Sequence, residues 1–283
     1  MTAVLPKFQR TQGTGRITTK RVGNRSRIDT LYQQGAAKIR IPDAPWDPGL
    51  EAVIINAAGG VTGGDDLAWR AEAGAGTNLT VTTQACEKVY KADGGTAQID
   101  VHMSVAAGAT LNWLPQETIL FNQADLSRTI HAEIEKDASL LLVEPVILGR
   151  RAMGETFTQG RWRDRWRIHH NGQLIHAENV HLRAPFADHL VDPAGLDGHT
   201  ALATMLLVGN HAEAKLETAR AMIDAQDHMV AGATNWQVGG ADKLVIRMLA
   251  PDGYALRAAL VPLINQLASS PDRQTHVPKI WSL

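Results

Sequence analysis

The feature that most constrains this chain is a unit of strand, tight turn and strand that recurs about every 30 residues. Three segments carry it: Leu67–Thr83, turning at Gly74-Ala75-Gly76; Ile99–Leu114, turning at Ala107-Gly108-Ala109; and Thr129–Val143, turning at Lys136-Asp137-Ala138. Aligned on those turns, Leu79 falls on Leu111 and Leu140, at offsets of 32 and 29 residues. Within the units apolar and polar residues alternate. In Ala97–Val105 (AQIDVHMSV) the odd positions are apolar and the even ones polar. Period two is the mark of a strand with one buried and one wet face. Two more segments extend the series: Ser26–Ile41 around Gln34-Gly35, and Trp166–Ala177 around Asn171-Gly172. Asn-Gly is a strong hairpin signal, and Leu174 lies 34 residues beyond Leu140. Units this short bury their apolar faces only by stacking on one another. The expected fold is therefore mainly β, a body of stacked β-hairpins. An ordinary β-sandwich also repeats hairpins.

Past Asp188 the pattern changes. His189–Gly198 carries Pro and Gly and reads as a loop, and Ala201–Val208 as a buried strand. Ala212–Ala225 reads as a helix, with Leu216, Ala219 and Ile223 on one face. Trp236–Val238 and Lys243–Leu249 read as strands about a turn at Gly239–Asp242. Gly253–Leu267 reads as a helix through Leu256, Leu260, Leu263 and Leu267, which Pro262 should kink or split. The expectation is one domain over residues 1–283, with a β-rich body over about 1–188 and a small α+β part over about 189–283 containing about two helices.

Composition narrows the function. Of 283 residues 44% are apolar, enough for a full core, and 28 Lys+Arg nearly cancel 29 Asp+Glu. A net charge of -1 argues against a nucleic-acid partner, which needs a basic footprint. One cysteine excludes a disulfide framework and a multi-cysteine metal site. Ala201–Val208 is among the longest apolar runs and falls far short of the roughly 18 residues of a membrane span. The opening MTAVLPKFQRTQGTG has no apolar signal core. These points predict a cytoplasmic protein with no nucleic-acid or membrane partner.

Several stretches carry candidate chemistry. Asn56–Asp66 (NAAGGVTGGDD) suggests a phosphate cradle, yet no Gly-Lys-Ser/Thr follows, and Leu67–Ala73 reads as strand where a dinucleotide loop needs a helix. A tight crossover with positive-φ glycines is the better reading, although it leaves Asp65 and Asp66 unexplained. Cys86 has no histidine tied to it by sequence and reads as a small, partly buried thiol or one soft metal ligand. Glu117, Glu144 and Glu178 each sit in apolar strand surroundings, where a carboxylate must be paired, hydrated or metal-bound. Glu117 and Glu144 lie 27 residues apart, close to the repeat. Two such carboxylates suit glycosidase acid-base chemistry, or they pair with Arg128, Arg150 or Arg151. His169 and His170 should point to opposite faces, whereas His176 and Glu178 should share one. Trp162 and Trp166 among Arg161, Arg163, Arg165 and Arg167 form a basic–aromatic run, readable as an RNA patch or as a strand face engaging protein.

Taken together, NAAGGVTGGD (Asn56–Asp65), TTQACEKVYK (Thr82–Lys91), WLPQETILF (Trp113–Phe121), LGRRAMGETF (Leu148–Phe157) and VPKIW (Val277–Trp281) resemble, in order and spacing, the UreD (UreH) family of urease accessory proteins. The resemblance covers nearly the whole chain. It implies a β-rich superhelical fold with two helices near the C-terminus. It implies no enzyme, but a urease maturation factor that binds apo-urease together with a UreF-type accessory protein and a UreG-type GTPase, and that serves nickel insertion. It further implies that no cofactor is held tightly and that Ni²⁺ is held only in passing. Joined to that role, Asp65, Glu117, Glu144 and Glu178 are the expected lining of a wet interior route for Ni²⁺, with Cys86 beside it. Scattered oxygen ligands release a metal that a dense His/Cys site would trap. The competing expectation is a β-solenoid carbohydrate-active enzyme using paired carboxylates. Aromatics at 5% lean against sugar-stacking platforms.

Overall fold

Period-two alternation becomes two facing sheets in the computed structural model, which describes residues 10–43, 48–185, 187–209, 211–268 and 278–281. Val277 of the closing motif and the first nine residues lie outside this set. The chain opens with β1 (Gln12–Val22), β2 (Arg25–Gly35), β3 (Ala37–Arg40) and β4 (Leu50–Asn56). Three coils follow: β5 (Asp66–Ala73) with β6 (Asn78–Thr83) and short β7 (Glu87–Val89); β8 (Ala97–Val105) with β9 (Thr110–Leu114) and short β10 (Thr118–Leu120); and β11 (Ala124–Ile134) with β12 (Ser139–Leu148). Next come β13 (Gly160–His170) and β14 (Gln173–Arg183), then α1 (Ala187–Val191), β15 (Ala201–Val208), α2 (Leu216–Asp224), β16 (Val230–Val238), β17 (Ala241–Ala250) and α3 (Gly253–Ala268). One sheet has the order β14-β13-β11-β8-β5-β1-β2; the other runs β16-β17-β15-β12-β9-β6-β4-β3, with β7 and β10 paired beside β12.

The stacked, mainly β body is as the repeat predicts, but the strand partners differ. The two strands of a unit do not pair as a hairpin. The turn after β5, β8 or β11 carries the chain across to the opposite sheet, and each strand pairs in parallel with its counterpart in the next coil. Both sheets keep the same offsets. Leu67 lies beside Ile99 and Leu79 beside Leu111, 32 residues on in each case. His102 lies beside His131 and Leu111 beside Leu140, 29 on. The Leu79–Leu111–Leu140 alignment is thus a true ladder. Asn171-Gly172, both at positive φ, makes a genuine antiparallel hairpin of β13 and β14, so Leu174 leaves the ladder and is exposed. The Ser26–Ile41 copy also crosses between sheets, but its strands run antiparallel to β1 and β4.

Alternate side chains from both sheets fill one core, including Leu67, Leu79, Leu111, Ile130, Leu140 and Trp162. A second core lies on the other face of the second sheet, where Leu141, Val143, Met205 and Ile246 meet Leu256, Leu260 and Leu263 of α3. β12 therefore buries both faces, which explains the unbroken apolar run Leu140–Val143. Inside the first core β1 needs a glycine at Gly15, where a Cβ would stand 2.4 Å from the Trp69 ring. α3 is not split at Pro262. The ring lies on the exposed side, and Leu256, Leu260, Leu263, Ile264 and Leu267 hold the helix to the sheet on the other. The expected loop after Asp188 begins with the last turn of short α1. Among the described residues no helix is long and apolar enough to cross a membrane.

Candidate functional site

Period two turns Arg128 of β11 and Asp164 of β13 toward the gap between the sheets, and the parallel register sets them side by side. Glu144 of β12 reaches the same place from the opposite sheet. The Arg128 guanidinium donates to Glu144 Oε2 and Asp164 Oδ2 in two short ion pairs, to Asp164 Oδ1 at 3.2 Å and to Thr118 Oγ1 at 3.3 Å. Trp113 Nε1 donates to Glu144 Oε1 at 2.8 Å and Trp166 Nε1 to Asp164 Oδ1 at 3.0 Å. All three charged groups are buried, Glu144 at 4% exposure and Asp164 at 3%. One cation thus faces two carboxylates. Burial works against the Arg128 charge, but Asp164 and Glu144 outweigh it and raise its pKa. Burial pushes Glu144 up to about 7, against the pull of Arg128 and with help from the Asp164 charge.

Glu178 of β14 faces inward too. It pairs with Arg247 of β17, and its Oε1 lies 3.2 Å from His176 Nε2. These partners hold its pKa down against burial, the largest single influence. Glu144, Asp164 and Glu178 together line an internal cavity of about 20 Å³, room for one water molecule. Trp162 lines it as well, and its buried indole N–H has no partner among the described residues. A buried donor of that kind calls for water or a ligand oxygen. His176 and Arg247 also border an open groove of about 710 Å³, shared with Leu174, Trp236 and Lys243, between β14 and the β16–β17 pair.

Glu117 and Cys86 belong to a different place. β10 pairs with β12 so that Thr118 lies beside Val146. Thr118 then shares the inner face with Glu144, and Glu117 turns to the other side. There it accepts from Arg257 Nη1 of α3 at 3.1 and 3.2 Å and from the Cys86 thiol at 3.2 Å. Arg257 also donates to the Ile280 carbonyl at 2.8 Å and lies over the Trp281 ring, so the VPKIW motif is tied to Glu117 through one guanidinium. Burial first, and then the Glu117 charge, pushes the Cys86 thiol up to about 12, a protonated donor and a poor nucleophile. Asp65 stays with the glycine-rich loop, accepting the backbone N–H of Thr11 at 2.7 Å and of Thr62 at 2.8 Å. Gly59, Gly60 and Gly64 take positive φ there, and a Cβ on Gly60 would stand 2.4 Å from the Tyr90 ring. The loop is a crossover, and Asp65 fastens it.

The structure therefore brings Glu144 and Glu178 to one cavity, Glu117 and Cys86 to another point, and Asp65 to neither. Asp164 is a cavity residue missed in the sequence. Its signal was present in RWRDRWR, where Trp162, Asp164 and Trp166 share one face and the arginines the other. The tryptophans point inward, so the run offers no basic–aromatic surface. His170 points inward and His169 outward, and His176 joins Glu178, as period two requires. Glu117 and Glu144, on opposite faces of one sheet, do not flank a common bond, and a cavity for one water admits no sugar ring.

Fold and site define a coiled two-sheet scaffold that keeps its carboxylates inside and paired instead of presenting them in a cleft. The family model described as UreD urease accessory protein matches residues 11–282. The chain is 49% identical to the urease accessory protein UreD of Agrobacterium fabrum over 275 residues, 97% of this chain and 92% of that one. It is 48% identical to that of Sinorhizobium medicae, covering 97% of each, and 46% identical to that of Brucella suis, covering 98% of this chain and 96% of the other. The chain belongs to the UreD family of urease accessory proteins. The family is described as accessory to an enzyme, in agreement with the non-catalytic reading of the sequence.

Proposed function

We propose that this protein matures urease by passing Ni²⁺ to the apo-enzyme in the cytoplasm, in a complex with a UreF-type accessory protein and a UreG-type GTPase. The observation that carries the reading is the water-sized cavity lined by Glu144, Asp164 and Glu178 between the sheets. Three carboxylates offer oxygen ligands without the imidazole–thiolate density that would trap a late first-row cation. Arg128 and Arg247 offset part of their charge and keep the site weak. Glu144, at about 7, exchanges a proton for a passing cation at physiological pH. The groove beside His176 is the entry. Glu117, on the far side of β10 from the Arg128–Thr118 contact, is the next station, with Cys86 as its donor neighbour. Asp65 holds the loop and is not needed on the route.

The test is the double variant Glu144→Gln with Glu178→Gln, co-expressed with apo-urease and both partners under limiting nickel. The complex should still assemble in a pulldown, and the nickel content of the urease should fall by about tenfold or more. Normal nickel content would show that the interior charge is not used. Failure of assembly would assign these acids to the scaffold instead.

A further inference from the structure

The outward faces of β8, β11 and β13 carry a group of ligand-bearing side chains that the passage does not use. His131 and Glu133 are two apart on β11 and share its outer face. The β11–β13 register places His169 beside Glu133, and the β8–β11 register places His102 beside His131. Glu133 Oε1 lies 3.4 Å from His131 Nε2 and 3.3 Å from His169 Nδ1. One ligand atom from each of the three lies within 4.8 Å of the others. Ligand atoms about 2.0–2.2 Å from a tetrahedral metal stand about 3.3–3.6 Å apart, so both contacts of Glu133 already lie at chelating distance.

Two details favour a ligand over a simple ion pair. His169 Nδ1 is buried and makes no hydrogen bond among the described residues, even though Glu133 is its near neighbour. The cation across from His131, Arg167, is turned away, donating to the Trp166 and Glu178 carbonyls at 2.6 and 3.1 Å. The His102 ring lies 5.8 Å from that of His131, on the β8 side and outside the three-residue group.

We propose that His131, Glu133 and His169 bind one late first-row divalent cation on the outer face of the seven-stranded sheet. Two imidazoles and a carboxylate suit Ni²⁺, Zn²⁺ or Cu²⁺ and not Mg²⁺ or Ca²⁺. The site stands on its own geometry and does not depend on the interior passage.

The experiment titrates the purified full-length chain with Ni²⁺, and separately with Zn²⁺, by calorimetry. The same is done for His131→Gln with His169→Gln, and for Glu133→Gln alone. The wild type should bind one more ion than the double histidine variant, and Glu133→Gln should bind that ion about tenfold or more weakly. Added Cu²⁺ should give an electron-spin spectrum with coupling to at least two nitrogens in the wild type, lost in the double variant. Far-UV circular dichroism checks the fold, and Glu133→Gln carries the test if the double variant misfolds. Glu144→Gln with Glu178→Gln should keep the site intact, which separates it from the passage. Equal stoichiometry and affinity in the wild type and the outer-face variants would overturn the proposal.

Discussion

The same two strands, β11 and β13, treat charge in opposite ways on their two faces. Inward, Arg128 joins Asp164 and Glu144, and the two tryptophan N–H groups that reach those carboxylates are satisfied. Outward, His131, Glu133 and His169 lie close without closing a full set of hydrogen bonds. The difference follows from where water is. A charge between the sheets is stable only with a partner, because desolvation costs several kcal/mol per ion. A partly exposed imidazole such as that of His131 has water as a fallback and is free to change partners.

The strongest way to break this comparison is to remove the inner cation. At pH 8, Arg128→Met leaves Glu144 and Asp164 buried without a counter-charge and should lower unfolding stability by about 3–5 kcal/mol, read by urea denaturation. Replacing the whole triad with amides (Arg128→Gln, Glu144→Gln, Asp164→Asn) keeps acceptors for both indoles and should cost far less. If the single and triple variants are equally unstable, compensation is not what holds the inner face.

A pH series sharpens the contrast. The folded Glu144 carboxyl titrates at about 7, above its ordinary value of 4.5, so the folded state binds the proton more tightly than the unfolded chain. Its contribution is fully present below the unfolded pKa and is lost as pH rises through about 7. The stability of Glu144→Gln relative to the wild type should therefore improve between those limits, by about 3 kcal/mol, and then level off. A flat difference in chemical denaturation at pH 4.5, 6 and 8 would contradict the assignment. The smallest effect belongs to the outer face. His131→Gln should change stability by no more than about 0.5 kcal/mol, since no buried charge loses a partner there. A larger loss, in the same denaturation assay, would show that the outer histidines are structural.

Much of this was legible in the residues. The Leu79–Leu111–Leu140 ladder could be read because parallel coils repeat side chains at nearly constant offsets. The strand partners could not, because a short small-residue turn either reverses a hairpin or carries the chain to a facing sheet, and both leave the same alternation. Glu144 and Glu178 stood out as acids in apolar strands, and Arg128 was one of three candidate partners. Asp164 was hidden by the arginines around it. Glu117 misled because its offset of 27 residues from Glu144 resembles the repeat, while β10 turns it to the opposite face. The outer cluster depends on Glu133 lying beside His169, an offset of 36 residues that no repeat unit displays.

On the proposed function, the inner carboxylates carry nickel as well as hold the sheets together. The most direct test is the nickel content of urease matured with the triple-amide variant, which removes the charges and leaves the indole acceptors in place. A variant that folds, assembles with the other accessory proteins and urease, and yields nickel-poor urease is the predicted result. Fully metallated urease from that same complex would contradict it.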